Sequence, residues 1–124
     1  MLEYALSKCN EHESYGRVNV YAVLTDKRGR ILAENGNLYN KSHPTAQKYA
    51  IKTGQSEHKS FLHAEIRTLL AYRGRHKHLK LYVASMDRNG NIRCAFPCKM
   101  CYAYIKDTEQ QLSIKIEIIN TEGE

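Results

Sequence analysis

Three residues able to bind a soft metal ion, and one carboxylate, stand at informative intervals in this chain. They are His63-Ala64-Glu65 and, after an interval of 34 residues from the histidine, Pro97-Cys98-Lys99-Met100-Cys101. A structural zinc usually closes its tetrahedron with four protein ligands, whereas a catalytic zinc takes three and keeps a water in the fourth position. His63, Cys98 and Cys101 supply three, and no fourth ligand stands at motif spacing. The pattern therefore reads as a catalytic site for one Zn²⁺ per chain. Glu65 lies too close to His63 to serve as a further ligand, which leaves it to take a proton from the water and pass it on. Bound zinc brings the pKa of water down to about 7. The combination suits hydrolysis at an electron-poor carbon that carries a poor leaving group. The bland alternative is a structural zinc closed by a distant ligand such as His43 or Cys94, and it leaves Glu65 without a role.

The elements around these residues must bring two distant segments together. Leu2, Leu6 and Cys9 predict a helix over 2–11. Val18 to Thr25 alternates as a strand with one well-buried face. Asp26-Lys27-Arg28-Gly29 is a hairpin turn, and Ile31-Leu32-Ala33 starts a returning strand that ends near Gly36. Pro44 opens a short helix running to about Thr53 and stopped by Gly54. A stronger helix is predicted from Phe61 to Tyr72, with Leu62, Ile66, Leu69 and Leu70 as its apolar stripe and Gly74 as its end. Leu79 to Ala84 is a third strand and Asn89-Gly90 a turn. Ile92 to Phe96 leads into Pro97 and a helix from Cys98 to about Asp107. Leu112 to Ile118 alternates strictly as a fourth strand. Cys98 and Cys101 thus share a helix face in a first turn, where the dipole favours thiolate, and His63 falls in the first turn of its own helix.

Strands interleaved with helices make the fold α/β, one mixed sheet with helices on its faces. At 124 residues the chain is expected to form a single domain over 1–124. No apolar run approaches the ~18–20 residues of a membrane span, so no membrane partner is expected. The amino terminus does not read as a secretory signal, and a reducing, cytoplasmic setting is expected, in which the four cysteines stay as thiols. Formal net charge is +6, and between Ser14 and Lys106 there are 17 Lys and Arg against 5 Asp and Glu. So positive a middle suits an anionic partner, a nucleotide or a nucleic acid strand, or else is simply a solvated surface. The densest cluster, Arg73-Gly74-Arg75-His76-Lys77-His78, follows the His63 helix and should lie at the end remote from the metal, as a solvated loop.

His-x-Glu followed by Pro-Cys-x-x-Cys is the general signature of zinc nucleobase deaminases. With Asn37-Leu38-Tyr39-Asn40-Lys41-Ser42-His43-Pro44, Lys48-Tyr49-Ala50 and Leu62-His63-Ala64-Glu65-Ile66, the chain resembles the cytidine/deoxycytidylate deaminase superfamily, and is most similar to the small deaminases carried by bacteriophages. The resemblance implies a three-layer sandwich around a five-stranded mixed sheet, of which four strands are legible. It implies that Asn37 bonds the substrate sugar, that the Ala64 amide meets the base carbonyl and that the Pro97 carbonyl accepts from the amine. It further implies deamination of cytosine in dCMP or deoxycytidine, by a homo-oligomer in the cytoplasm of a host cell. Single-stranded DNA or tRNA is the alternative partner, favoured by the charge and by nine tyrosines available for stacking. A catalytically silent zinc module is a third reading, against which the intact Glu65 stands.

Overall fold

The structure, a computed structural model, describes residues 1–11, 18–54, 61–87 and 89–122. Its elements in chain order are α1 (Leu2–Glu11), β1 (Asn19–Asp26), β2 (Ile31–Gly36), β3 (Leu38–Ser42), α2 (Pro44–Lys52) and β4 (Phe61–Leu62), followed by α3 (Ala64–Ala71), β5 (His78–Met86), β6 (Ile92–Arg93), α4 (Lys99–Leu112) and β7 (Lys115–Asn120). The alternation of β1 predicts one buried face, yet Ala22 to Asp26 are all buried, because helices cover the sheet on both sides. Ala22, Leu24, Leu81 and Val83 pack under Ala64 and Leu69 of α3 and Ile105 of α4. Val23 and Ala84, on the opposite face, meet Ala5 and Cys9 of α1. A fully buried side chain such as Leu81 or Ile105 gains about 1.5–3 kcal/mol from transfer out of water. Beyond this three-layer body, Ala46, Tyr49 and Ala50 of α2 close over Ile66, Met100 and Cys101.

The sheet is mixed and five-stranded, in agreement with the expected fold class. β1 lies antiparallel to β2 on one side and to β5 on the other, with Asn19 opposite Met86 and Asp26 opposite Leu79. β7 runs parallel to β5 along the far edge, from His78–Lys115 to Val83–Asn120. The fifth strand, hidden in the sequence, is the two-residue β6. It pairs with Ser85 and Met86 just beyond the stretch that β7 occupies, so two strands share one edge of β5 end to end.

Four boundaries differ most from expectation. The helix predicted from Phe61 begins only at Ala64, because Phe61 and Leu62 pair as β4 with β3 and His63 is extended at φ −69, ψ 151; the Leu62 side chain, assigned to the helical stripe, lies outside the described residues. The same helix ends at Ala71, since Tyr72 is already extended. Gly74 serves close approach rather than termination: a Cβ there would sit 2.6 Å from Cε1 of the Tyr72 ring. At the other end, α4 runs on past Asp107 to Leu112, and Ser113 stops it in a left-handed conformation at φ 53. The last strand therefore starts at Lys115, and Leu112, alternation notwithstanding, is an exposed helix terminus.

Candidate metal centre and cavity

His63 and Cys98 occupy the N-cap positions of α3 and α4, both in extended conformation and neither making a side-chain cap hydrogen bond. Caps usually turn a polar side chain back onto the helix; these two face one another. His63 Nδ1 lies 3.2 Å from Cys101 Sγ and 3.7 Å from Cys98 Sγ. One donor atom from each of the three residues falls within 4.8 Å of the others, the one such His/Cys/Asp/Glu group among the described residues. A tetrahedral ion with bonds of ~2.0–2.3 Å holds ligand atoms roughly 3.5–3.8 Å apart, so the spacing fits zinc, and two sulfurs with one imidazole nitrogen are a donor set it favours. Cys98 is the cap itself and Cys101 the third helical residue, while His63 precedes its helix instead of lying inside the first turn. The two helix N-termini still converge.

The two thiols are shifted in opposite directions. Cys98 is pulled down to about 4, first by the hydrogen bond it accepts from Cys101 and then, against desolvation, by His63. Cys101 is pushed well up, as the donor of that bond and through its burial. Binding a divalent ion displaces such protons, which couples metal affinity to pH. Glu65 stands in the first turn of α3 and is only 5% exposed. Burial pushes its carboxyl up, while His63 acts in the opposite sense.

Beside these groups opens a cavity of about 160 Å³, whose lining includes Asn37, His63, Ala64, Glu65, Phe96 and Cys98, with Val20 and Ser85 of the sheet. Five of the seven residues singled out in the sequence thus share one cavity wall, with Cys101 behind it. Pro97 is buried next to Cys98 in the chain but does not line the space. Asn37 follows β2 and is buried, its Oδ1 accepting from the Val20 amide at 3.1 Å and its Nδ2 donating to the Val18 carbonyl at 3.3 Å. Arg67, one turn along α3, steadies the same corner by donating to the Gly36 carbonyl.

Sequence reasoning missed Phe96. It is 55% exposed, and its ring lies 5.8 Å from that of Tyr102, itself 39% exposed, with the Lys106 ammonium 5.3 Å above Tyr102. Position immediately before Pro97 was the available signal. Tyr104 goes inward, edge-on to Tyr49 at 5.3 Å, and neither tyrosine lines the cavity. His43 caps α2 by accepting from the Thr45 amide, and Cys94 is an exposed residue at the cavity rim; neither joins the three-donor group.

Thr121, also missed, organises the segment leading to Cys98. Its hydroxyl accepts from the Ser85 amide and donates to the Arg93 carbonyl, its carbonyl accepts from the Ala95 amide, and its amide donates to Val83. One buried residue just after β7 thereby closes the junction where β6 and β7 meet along β5.

Opposite the cavity lies the basic loop after α3, as its place in the sequence predicts. Among the described residues no helix is long and apolar enough to cross a membrane. No curated protein matches the chain. Over residues 1–114, with the three-donor group inside the matched region, the sequence fits the description "cytidine and deoxycytidylate deaminase zinc-binding region", and the chain belongs to that family of zinc-dependent deaminases.

Proposed function

We propose that this protein is a single-domain hydrolase over residues 1–124 that deaminates cytosine in a free nucleotide or nucleoside, converting dCMP or deoxycytidine to the uracil product and ammonia. His63 Nδ1, Cys98 and Cys101 hold one zinc ion, which when bound supplies an acidified water. The observation that carries the reading is the convergence of those three donors with the buried Glu65 on one small cavity. A structural zinc would not account for a carboxylate held out of water beside it. Glu65 takes the two protons of the attacking water in turn, delivering one to the ring nitrogen and the other to the departing amine. Asn37 positions the sugar, the Ala64 amide the base carbonyl and the Pro97 carbonyl the amine. At about 160 Å³ the cavity is smaller than the ~300–1,000 Å³ of common ligand pockets, in keeping with one base inside and the sugar at the mouth. The protein acts as a homo-oligomer in the cytoplasm, that of a host cell if the phage-type likeness holds.

A second reading, deamination within a single strand, is favoured by the exposed Phe96–Tyr102 pair at the rim, a surface on which a flanking base could stack. Incubating the zinc-loaded protein with dCMP, deoxycytidine, tRNA and a cytosine-bearing DNA oligonucleotide separates the two. Turnover of dCMP or deoxycytidine, impaired alike by Asn37→Ala, is expected. Much faster turnover of the oligonucleotide or tRNA would establish the second reading, and no turnover of any of the four would overturn both.

A further inference from the structure

The protein's charge is gathered at the end of the sheet away from the cavity. Two shallow depressions adjoin there. Lys27, Lys80 and Lys115 line one, with His78 and Glu117, and Arg28, Arg30 and Lys77 line the other, with Asp26. Arg73 and Arg75 project from the same loop, both exposed. These eight cations exceed the two acids by six, which is the entire formal net charge of the chain. Glu109, near the end of α4, is occupied by the Ile116 amide and by Lys106. The remainder of the molecule is electrically balanced.

Distance separates this pole from the reaction. Val20 lines the cavity and Asp26 the basic end of the same strand, and six residue steps of ~3.3 Å make ~20 Å. The Debye length at physiological salt is about 8 Å. Cations so far away neither touch nor effectively steer a phosphate at the cavity mouth.

The array is also held in shape. Asp26, its side chain 4% exposed, accepts from the Arg28 and Arg30 amides at 2.9 Å and from Arg30 Nε at 2.7 Å, and its Oδ2 lies 3.9 Å from His76 Nε2. Around Tyr72 the second loop is wound tightly: the ring touches Gly74, and the hydroxyl accepts the His76 amide at 3.0 Å. The Lys115 amide donates to the Lys77 carbonyl at 2.9 Å, joining that loop to β7. A solvated surface needs no such frame.

We propose that this pole docks the phosphate backbone of a nucleic acid, independently of the base in the cavity. A strand of phosphates supplies closely spaced charges for several fixed cations at once, and requires no apolar contact. A membrane surface is a poorer fit, because the cations come from turns and strand starts and not from the polar face of an amphipathic helix. Docking fixes the enzyme on a strand by sequence-independent contacts and leaves the cavity, at the opposite end, open to its own substrate.

The test uses full-length zinc-loaded protein and cytosine-free probes, so that its outcome does not depend on the proposed reaction. Labelled oligo(dT), its RNA counterpart oligo(U), and the oligo(dT)·oligo(dA) duplex are titrated from ~50 to ~200 mM salt, with phosphatidylserine vesicles as a further arm. Binding is expected to weaken with salt at about −0.7 log units per contacted phosphate on a single strand and about −0.9 on a duplex. The triple variant K27A/R75A/K77A should lower the slope magnitude by about 2–3 while keeping the far-ultraviolet circular dichroism and the deaminase rate. Lys77→Glu alone should weaken every strand. An unchanged slope in the triple variant, no binding of any strand at the lowest salt, or binding of vesicles and not of strands would overturn the proposal.

Discussion

At one end of β1, Val20 borders a cavity lined by the half-buried His63 and Cys98 and the buried Glu65; at the other, Asp26 anchors a surface crowded with exposed Lys and Arg. The two ends share strands yet use opposite physics. The cavity end has few groups, partly or wholly removed from solvent, where small displacements and lost hydrogen bonds matter most. The basic end relies on number, and its charges are weakened by salt and replaceable one at a time. Position within the fold thus decides whether a polar residue acts singly or as one of many.

The largest effect expected from breaking the cavity end is loss of the metal. Replacing Cys98 and Cys101 together by Ala should leave no stoichiometric zinc by metal analysis and no activity, and should lower the unfolding midpoint, because the donors tie α3 to α4. A full equivalent of zinc in that double variant would remove the site. Next comes Glu65→Ala, which should retain zinc and fold while losing at least ~10²–10⁴-fold in rate, the usual contribution of a general acid–base group. A residual rate above a tenth of the original would contradict the shuttle role.

Smaller effects sharpen the contrast. Thr121→Val leaves the Ser85 amide and the Arg93 carbonyl without their partner, at a cost of about 1–3 kcal/mol for buried groups. Its kcat should fall as well. Thr68→Val, at a buried threonine in the body of α3 that donates to the Ala22 carbonyl, should lower stability and leave kcat alone. Equal kcat losses in the two variants would show that Thr121 has no particular hold on the Cys98 segment.

The smallest effect is expected at the basic end. The Arg30 amide, helped by the Arg30 guanidinium and the Arg28 amide, holds the Asp26 carboxyl below its usual range despite burial. A carboxyl lowered in the folded state stabilises fully above its unfolded pKa of about 3.9 and loses that contribution as pH falls through the lower folded value. Asp26→Asn should therefore reduce stability near neutrality and flatten the acid side of the stability profile, measured by thermal unfolding between neutral pH and the strongly acid range. An acid limb as steep as the original would assign that slope to other carboxylates.

What the sequence disclosed follows from the range of the forces involved. His63, Glu65, Cys98 and Cys101 were legible because metal chemistry demands particular side chains at helical spacing, and the central strands were legible through alternation. Phe61-Leu62 looked helical because an apolar pair fits either period; pairing with β3 overrode it. β6 has two residues, too few to carry any pattern. Thr121 and Phe96 gain their importance from partners distant in sequence or from a shared rim. The gathering of the whole net charge at one pole arises only when the β1–β2 turn, the loop after α3 and the start of β7 meet.

The bonds made by Thr121 also set a schedule. Every residue lining the cavity precedes Cys101, yet the segment entering Cys98 is pinned by a threonine that follows the last strand. During synthesis the ribosome adds 20 more residues after Cys101 before that pin exists, an interval of about 1–4 s at ~5–20 residues per second. The nascent chain therefore carries both thiols before their loop is fastened, and completion of the reactive centre waits on delivery of β7.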